Sequence, residues 1–446
     1  MRPSNVARVV EAMAAEIGSG HLPPGRLLPT HRRLAAQYGI AVASASKVYA
    51  QLKAQGLVVG EAGRGTFVRD RPPQRAWDSA DEARLSAQAI DLSFNHPTWA
   101  GQGAMLRAML RDLAASGDLA ALLHQQPPGG RMHERRIVAR FLQQQRGIEA
   151  APERIFLVGG AQHGLDIATR ALLRPHDAVA VDALTYPGFR MLATGMGLAL
   201  RPVPAAAGGP DLDALDAACS AGDVRAIYSM PTLHNPLGWV MGAAQRRRMV
   251  AIARQRGCLL IEDAAYAFLG GRSPTALAAL APDCTVYVSS LSKSLASGLR
   301  FGFIVVPPGS ETRIKATIRA SYWSLSSVVT AMATRWIADG TVARQETALR
   351  RDASRRQAVA AKVFAGMPLV AHPASLFLWL PLPEDVRMDR IATRLAAAGI
   401  AVSKGEAYAT TVHAPHALRL GLGSMPFDQL EPALRQVREA IERFPI

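Results

Sequence analysis

The chain is poor in cysteine and has no long apolar run. It has three cysteines in 446 residues, Cys219, Cys258 and Cys284. This odd, widely spaced set excludes a disulfide framework and has no metal-ligand spacing, so we expect reduced core thiols, as in a cytosolic protein, and no metal site. No run of about 18 uninterrupted apolar residues occurs, which excludes a predicted membrane-spanning helix.

The first twenty residues also lack the continuous apolar core of a secretion signal. They read MRPSNVARVVEAMAAEIGSG, with acidic residues and apolar residues at helical spacing. This pattern indicates a segment of the mature protein, and we expect a cytoplasmic location.

Lysine is the scarcest charged residue, at six of the 51 basic residues. The formal net charge is nevertheless +16, because arginine is abundant. A strongly basic chain favours a polyanionic partner, most commonly nucleic acid. Genomic base composition can also enrich arginine, so charge alone does not decide the function.

The length and composition indicate a globular chain of two or three domains. With 446 residues the chain exceeds what one core usually fills, and 49% of its residues are hydrophobic. We expect a small module over residues 1–69, a linker over 70–89 that is rich in proline, charge and alanine, and a large module over 90–446.

The small module has the pattern of a winged helix-turn-helix. An apolar helical repeat ends near Gly18, Thr30 can cap a second helix over 31–38, and a third helix is predicted from about Ala43 to Gln55. Two short apolar runs then bracket a turn from Gly60 to Gly65. Such a module lays its last helix in the DNA major groove. The candidate DNA contacts are Arg32, Arg33, Ser46, Lys47 and Arg64. A small protein-interaction domain is the alternative.

This module resembles the DNA-binding domain of the GntR family of bacterial transcription factors. The resemblance covers residues 4–69 and includes LPPGRLLPTHRRLAAQYGIAVASASKVYAQLKAQGLVVGEAGRGTFV. It implies that Arg32, the early residues of the third helix and the wing glycines face DNA. Ala41 and Val42 stand where relatives often have serine and arginine, so one customary contact is missing.

The large module alternates apolar runs with alanine-rich helical stretches. The predicted strands are 155–158, 178–181, 226–229, 259–262, 286–289 and 301–306. This alternation predicts an α/β fold with a mainly parallel sheet covered by helices. Ligands bind at the carboxyl ends of strands in such sheets, and the polar signals of this module follow the strand ends.

Lys293 is the organising residue of the stretch SSLSKSLASGLRFG, 289–302. An arginine would supply charge equally well, but only a lysine can lose its proton and form a Schiff base with a carbonyl. A solvated helix lysine is the alternative for this stretch by itself.

Taken together, the strand-end residues fit pyridoxal 5′-phosphate. Lys293 would bind its aldehyde, Asp263 would keep its pyridinium nitrogen protonated, and Tyr186 would stack on its ring. Asn235 and Tyr266 would donate to its phenolate oxygen. The residues predicted to bind its phosphate are Ala161, Gln162, Ser290, Ser292 and Arg300. Each feature alone also has a structural explanation, such as a helix cap, a turn or ordinary core packing.

Residues 90–446 resemble the fold type I aminotransferases, with a smaller C-terminal α+β part. The resemblance implies that Arg419, in LRLGLG, grips a substrate carboxylate. Two residues depart from the usual pattern. His124 stands where relatives usually have a tyrosine that reaches the neighbouring subunit's cofactor, and Glu134 stands where leucine is common.

A GntR-like module joined to an aminotransferase-like domain is the architecture of the MocR subfamily of regulators. The resemblance implies a homodimeric, pyridoxal-phosphate-dependent transcription factor that binds a double-stranded DNA operator and senses an amino compound or the cofactor itself. A working aminotransferase of an amino acid, with a vestigial DNA-binding module, is the alternative, because Lys293, Asp263 and Arg419 are all present.

Replacement of Lys293 by alanine is expected to abolish the visible absorbance band of protein-bound cofactor, because the amine that binds the aldehyde is lost. The winged helix-turn-helix is expected to stay folded. Lys315→Ala is the control and should keep the band. An unchanged band in the Lys293 variant, recorded by absorption spectroscopy, would contradict the assignment.

Overall fold

A computed structural model describes residues 5–18, 21–23, 25–54, 57–61, 65–68, 90–116, 119–271, 273–383, 386, 388–411 and 414–443. The chain divides into two compact units, Met1–Ser86 and Ala87–Ile446. The predicted linker, 70–89, lies outside the described residues.

The small unit consists of three helices and a hairpin. Its elements are α1 (Asn5–Gly18), α2 (His31–Tyr38), α3 (Val42–Ala54), β1 (Val58–Glu61) and β2 (Gly65–Val68). The Thr30 side chain accepts a hydrogen bond from the Arg33 N–H at 3.4 Å, and Gly39 ends α2 with a left-handed φ of 63°. The predicted second helix therefore has the correct bounds. The third begins at Val42, one residue earlier than predicted, and its predicted end at Gln55 lies outside the described residues.

The hairpin is antiparallel and longer than predicted. Its register runs from Val58 opposite Val68 to Glu61 opposite Gly65. The prediction placed Gly60 in the turn, but Gly60 pairs with Thr66 because the strand ladder continues through it. Arg64, the predicted wing contact, lies outside the described residues. The helices and β1 share a core that includes the fully buried Leu34 and Leu52.

The large unit is built on a seven-stranded sheet. Its strands are β4 (Ile155–Val158), β5 (Ala178–Asp182), β6 (Ala199–Val203), β9 (Val224–Ser229), β10 (Leu259–Asp263), β11 (Thr285–Ser290) and β12 (Gly302–Val305). The short strands β3 (Ile90–Asp91), β7 (Ala205–Ala206) and β8 (Gly209–Pro210) belong to separate two-stranded sheets. The strand order is β4-β12-β11-β10-β9-β5-β6, and β12 is antiparallel to both neighbours while the other pairs are parallel. The predicted mainly parallel sheet is confirmed.

Helices pack against this sheet. They are α4 (Gln102–Ser116), α5 (Leu119–Leu123), α6 (Met132–Arg146), α7 (Ala161–Leu172), α8 (Pro187–Gly195), α9 (Leu212–Ser220), α10 (Ala243–Arg256), α11 (Leu277–Leu280), α12 (Glu311–Ser321), α13 (Ser327–Ala338) and α14 (Thr341–Val363). Buried apolar side chains fill separate clusters on the sheet's faces. The strands are therefore buried on both faces, as near-continuous apolar runs require.

The C-terminal part is a smaller α+β layer. It contains β13 (Val370–Ala371), β14 (Phe377–Pro381), α15 (Met388–Ala397), β15 (Ile400–Ala401), β16 (Ser403–Lys404), β17 (Ala417–Gly421) and α16 (Phe427–Glu442). Strands β13, β14, β17 and β16 form an antiparallel sheet, while β15 pairs in parallel with β3. The first strand of the large unit thus joins its C-terminal part.

The described helices include none that is both long enough and apolar enough to cross a membrane. All three cysteines are free thiols, and Cys219 and Cys258 are buried.

The carboxyl ends of β4, β9, β10 and β11 lie at one edge of the sheet, where β12 begins. Gly302 of β12 pairs with Ser290 and with Val158 at this edge. A Cβ on Gly302 would lie 2.8 Å from the Gly160 backbone and from the Ser289 carbonyl oxygen. Backbone segments therefore approach more closely here than a side chain allows.

Gly302→Ala is expected to lower the free energy of unfolding by about 1–3 kcal/mol, because the added methyl forces backbone apart in a packed core. Gly298→Ala is the matched control, since a Cβ there meets nothing within 4 Å, and it should change stability by less than about 0.5 kcal/mol. Chemical denaturation of both variants makes the comparison. Equal stability in the two would show that the edge can relax.

Candidate active site at the carboxyl edge of the sheet

Asp263 ends β10, the strand between β9 and β11, and its carboxylate is buried. Its Oδ2 accepts a hydrogen bond from the Tyr228 hydroxyl at 2.8 Å, and its Oδ1 accepts from the Ala265 N–H at 3.0 Å. Burial raises the pKa of Asp263, while these two hydrogen bonds lower it in part. Within the described residues no cation contributes to the balance, so the carboxylate is suited to a ligand that brings positive charge.

Tyr228 is held in turn by Phe189. The two rings stack at a centroid distance of 3.8 Å and an interplanar angle of 6°. Burial and the nearby Asp263 carboxylate raise the pKa of Tyr228, so the hydroxyl keeps its proton and remains a donor.

Lys293 follows β11 and is half-buried. Its Nζ donates a hydrogen bond to the Asn95 carbonyl oxygen at 2.7 Å. This bond fixes the amine at the same sheet edge as Asp263, although the two residues lie on different strand ends.

Arg419 lies on β17 and is buried. Its Nη1 donates to the Ser93 carbonyl oxygen at 2.9 Å, and the guanidinium lies over the Phe377 ring at 4.7 Å. With the Asn95 amide oxygen toward Arg419, that oxygen accepts from Arg419 Nη2 at 2.9 Å and from the Tyr266 hydroxyl at 3.2 Å, while the amide nitrogen donates to the Leu376 carbonyl at 2.8 Å. The opposite orientation would set two donors against each other.

Tyr266 is the junction between these groups. Burial alone would raise its pKa, but the positive charges of Lys293 and Arg419 and a hydrogen bond from Arg419 outweigh burial, so its pKa is lower than usual. The structure thereby brings the predicted Lys293, Tyr266 and Arg419 together.

The residues predicted to bind the phosphate lie around the start of α7. Gly160 precedes this helix with a φ of 90°, and a Cβ on it would lie 3.0 Å from Arg300 Nη2. Arg300 has a left-handed φ of 50° and donates from Nη2 to the Gly159 carbonyl at 3.2 Å. Ser290 and Ser292 are both buried. An α-helix leaves the N–H groups of its first turn without helical acceptors, which suits an anion.

Tyr186 and Asn235 complete the predicted set. Tyr186 is half-buried at the start of α8, and burial together with the Asp263 charge raises its pKa. Asn235 is buried in the turn after β9. Gln162 donates from Nε2 to the Gly188 carbonyl at 2.9 Å, which joins the starts of α7 and α8.

Several buried polar atoms of this edge have no hydrogen-bond partner in the described part of the chain. They are Ser292 Oγ, Asn235 Oδ1 and Gln162 Oε1. Buried polar groups without partners are costly, so these atoms favour a polar ligand at this edge. Together with an uncompensated carboxylate at Asp263 and an amine at Lys293, the Ser292 hydroxyl, which can donate to a phosphate, fits a polar aldehyde that has a ring nitrogen and a phosphate.

Sequence reasoning missed Tyr228 and Asn95. Tyr228 lies inside a strand that was predicted, but only the pairing of β9 with β10 shows that its hydroxyl reaches Asp263. Asn95 lies in the segment 93–97, whose position the spacing does not give.

The two departures from the family pattern have different surroundings. Glu134 is buried and its Oε2 accepts from the Arg131 N–H at 2.7 Å, so it caps α6. His124 is exposed directly after α5, and its carbonyl accepts from the Gln126 side chain at 2.9 Å.

Four predicted DNA contacts lie within the described residues. Arg32 and Arg33 are exposed on α2, and Ser46 and Lys47 are exposed on α3. Both helices bury their opposite sides in the core of the small unit. These residues are therefore free to face a partner.

Comparison with known families agrees with the two units. Residues 87–437 match the family of class I and II aminotransferases, and residues 5–68 match the gntR family of bacterial regulatory proteins. The chain belongs to the class I and II aminotransferase family. Members of this family use pyridoxal 5′-phosphate. An aminotransferase-like domain joined to a gntR domain is the MocR-like architecture.

Relatives span nearly the whole chain. The pyridoxine biosynthesis transcriptional regulator PdxR of Corynebacterium glutamicum is 26% identical over 97% of this chain and 95% of its own length. The probable rhizopine catabolism regulatory protein MocR of Rhizobium meliloti is 27% identical over 86% and 80%. An archaeal alanine:glyoxylate aminotransferase structure superimposes with a TM-score of 0.76 at 20% identity, over 82% of this chain and 94% of that one. This last likeness shows the fold.

Asp263→Asn is expected to have opposite effects on stability and on cofactor binding. Because burial raises the pKa of Asp263, the folded chain binds more protons there than the unfolded chain, and this carboxylate's contribution to stability falls as pH rises from its ordinary pKa to its raised one. The variant removes that cost, so the cofactor-free protein should gain about 1 kcal/mol at pH 7. Affinity for pyridoxal 5′-phosphate should fall at least about tenfold, because the ring nitrogen loses its anionic partner.

Glu262→Gln is the matched control. Glu262 is the preceding residue of β10, so its side chain points to the other face of the sheet, and it accepts from the Ala278 N–H at 2.9 Å. Burial raises its pKa as well. This variant should share the stability effect and keep cofactor affinity. Denaturation curves and cofactor titrations of both variants test this, and loss of affinity in both would refute a specific role for Asp263.

Proposed function

We propose that this protein is a pyridoxal-phosphate-dependent transcriptional regulator that binds double-stranded DNA and senses an amino compound or the cofactor. The main support is one observation. Lys293, Asp263 and Arg419 lie around one edge of the large unit's sheet, and the same chain also has a helix-turn-helix with exposed basic residues. The observation joins a ligand site to a DNA-binding module in one polypeptide.

Different residues of the site would bind different parts of the ligand. Bound pyridoxal 5′-phosphate supplies a carbonyl for amines and a ring that draws electrons. Lys293 would hold the carbonyl end, Asp263 would keep a proton on the ring nitrogen, and the start of α7 would hold the phosphate. Arg419 offers guanidinium N–H groups to a carboxylate, which favours effectors that carry both an amine and a carboxylate.

The DNA surface is supplied by α2 and α3. Arg32 and Arg33 would bind phosphates, and Ser46 and Lys47 are placed on α3 to reach base edges. The Ser46 hydroxyl donates to the Val42 carbonyl at 3.3 Å, so it can exchange a local bond for one to a base.

Sensing requires that the effector bind two conformations of the protein with different affinity. An effector amine that took the place of Lys293 at the cofactor carbonyl would release the lysine. An effector carboxylate competes with the Ser93 and Asn95 acceptors for Arg419. Both exchanges would change the hydrogen bonds that segment 93–95 accepts. Ligand binding could therefore change the conformation of this segment.

An apolar face supports a homodimer. Leu106 and Leu110 on α4 are 41% and 45% exposed, and Leu119 and Leu123 on α5 are 51% and 88% exposed. Each pair is spaced i, i+4 and so lies on one side of its helix, and exposed apolar faces of this kind are typical of an interface. His124 follows directly, so a second subunit at this face would meet it.

Two variations of the proposal have specific support. Lys293, Asp263 and Arg419 would also serve an active aminotransferase, which turnover of an amino donor with a keto acid would reveal. The cofactor itself is a candidate signal, since a relative of 26% identity is named for the regulation of pyridoxine biosynthesis. In that case DNA affinity would respond to pyridoxal 5′-phosphate without an added amine.

The test is fluorescence anisotropy of the DNA upstream of the protein's own reading frame, at fixed salt, with cofactor-free and cofactor-loaded protein. We expect sequence-selective binding that shifts when pyridoxal 5′-phosphate or a candidate amino acid is added. Arg32→Ala should weaken binding and reduce the salt slope by about one, because one phosphate contact is lost.

Arg8→Ala is the control for this experiment. Arg8 is exposed on α1, outside the predicted DNA contacts, and its loss should leave the salt slope unchanged. Binding that is weak, salt-sensitive and indifferent to sequence and ligand in every form would contradict the proposal for this operator, and transamination would become the better explanation.

A further inference from the structure

His163 lies in the first turn of α7, beside the residues predicted to bind the phosphate, and is not itself one of the predicted cofactor-binding residues. Its Nδ1 accepts a hydrogen bond from the Gly159 N–H at 2.9 Å. The Gly159 carbonyl accepts from Arg300 Nη2 at 3.2 Å. Side chains therefore hold both polar groups of the Gly159 backbone.

The backbone turn at Gly159 and Gly160 sets the direction of the start of α7. The Gly160 N–H donates to the Val158 carbonyl at 2.8 Å, and the Gly164 N–H donates to the Gly160 carbonyl at 3.0 Å. Gly160 itself has a φ of 90°, where an L side chain is strained. The bond from Gly159 to His163 therefore ties the turn to the helix that it introduces.

The imidazole is fixed on its other side by Tyr322. The two rings meet edge to face, with centroids 4.1 Å apart and an interplanar angle of 83°. The Tyr322 hydroxyl donates to the Leu157 carbonyl at 3.3 Å, so the contact returns to β4, one residue before its end. The ring has little freedom to turn away from Gly159.

The hydrogen bond requires a neutral imidazole with its proton on Nε2, because Nδ1 is the acceptor. Burial lowers the pKa of His163; Asp166, one turn along α7, raises it, and Arg300 lowers it further. The net direction is downward, so the neutral form that accepts from Gly159 is favoured.

We infer that His163 is a positioning residue that holds the Gly159–Gly160 turn in the orientation that receives the cofactor phosphate. The inference rests on the proposed binding of pyridoxal 5′-phosphate. It concerns the phosphate end alone, since His163 makes no contact with Lys293, Asp263 or Arg419 in the described hydrogen bonds.

A plain helix cap is the competing explanation for the bond. A cap would stabilise α7 and would affect every ligand of the site to the same degree. A positioning residue would affect phosphorylated ligands in particular. Pyridoxal 5′-phosphate and pyridoxal differ only in the phosphate, so the pair separates the two explanations.

The experiment measures the dissociation constants of both compounds, by absorbance titration of the cofactor-free full chain, for three variants. His163→Leu removes the acceptor and should weaken pyridoxal 5′-phosphate binding about tenfold, which is about 1.4 kcal/mol, while pyridoxal binding changes less than about twofold. His163→Asn places Oδ1 where Nδ1 lies and should restore most of the affinity. His133→Leu, on the exposed side of α6, should change neither constant. Thermal unfolding of each cofactor-free variant records stability alongside.

Equal weakening of both compounds by His163→Leu, or failure of His163→Asn to restore the preference for the phosphate, would overturn the inference and leave a helix cap. Unchanged affinity in His163→Leu would overturn it as well. If the unmodified protein fails to bind pyridoxal 5′-phosphate, the proposed function is wrong and the inference falls with it. That outcome is distinct, because it appears before any variant is compared.

Discussion

The buried carboxylate of Asp263 is the constraint on which the site depends. It ends the strand between β9 and β11, where water has little access, and its hydrogen-bond donors are a phenol and a backbone N–H, both neutral. A charge in such a place is costly until a cation meets it. This carboxylate lies in the sheet on which the large unit is built, so the fold itself favours a ligand that brings positive charge to it.

A second constraint is the sharing of one short segment by the site's cationic groups. Lys293 donates to the Asn95 carbonyl, and Arg419 donates to the Ser93 carbonyl and the Asn95 amide. The same segment follows β3, which pairs with β15 of the C-terminal layer. Three acceptors therefore connect the parts of the large unit: the Ser93 carbonyl, the Asn95 carbonyl and the Asn95 amide oxygen. They join the loop after β11, strand β17 of the C-terminal layer and the first residues of the large unit.

The order of polar residues on strand ends was predictable because apolar runs of this length specify strands, and parallel strands place their ends at one edge. Lys293, Asp263 and the start of α7 follow from that rule. Tyr228 and Asn95 do not, because their roles arise from contacts between elements far apart in sequence. His163 does not either, because its bond to Gly159, four residues away, depends on the geometry of the turn. The turn at Gly60 was misplaced since glycine can continue a strand when its neighbours pair. Arg64 stays a prediction.

The hydrogen bonds of Arg419 also bear on how tightly an effector can bind. Its Nη groups donate to Ser93 and Asn95, so an effector carboxylate that replaced these acceptors would gain only the difference between its own bonds and those it replaced. Net gains from such exchanges are modest even when each bond is strong. Such a replacement would also disturb segment 93–95. A regulator's response can be no larger than the effector's differential affinity for its two states. Under the proposed function, an exchange of partners at this segment would supply that difference.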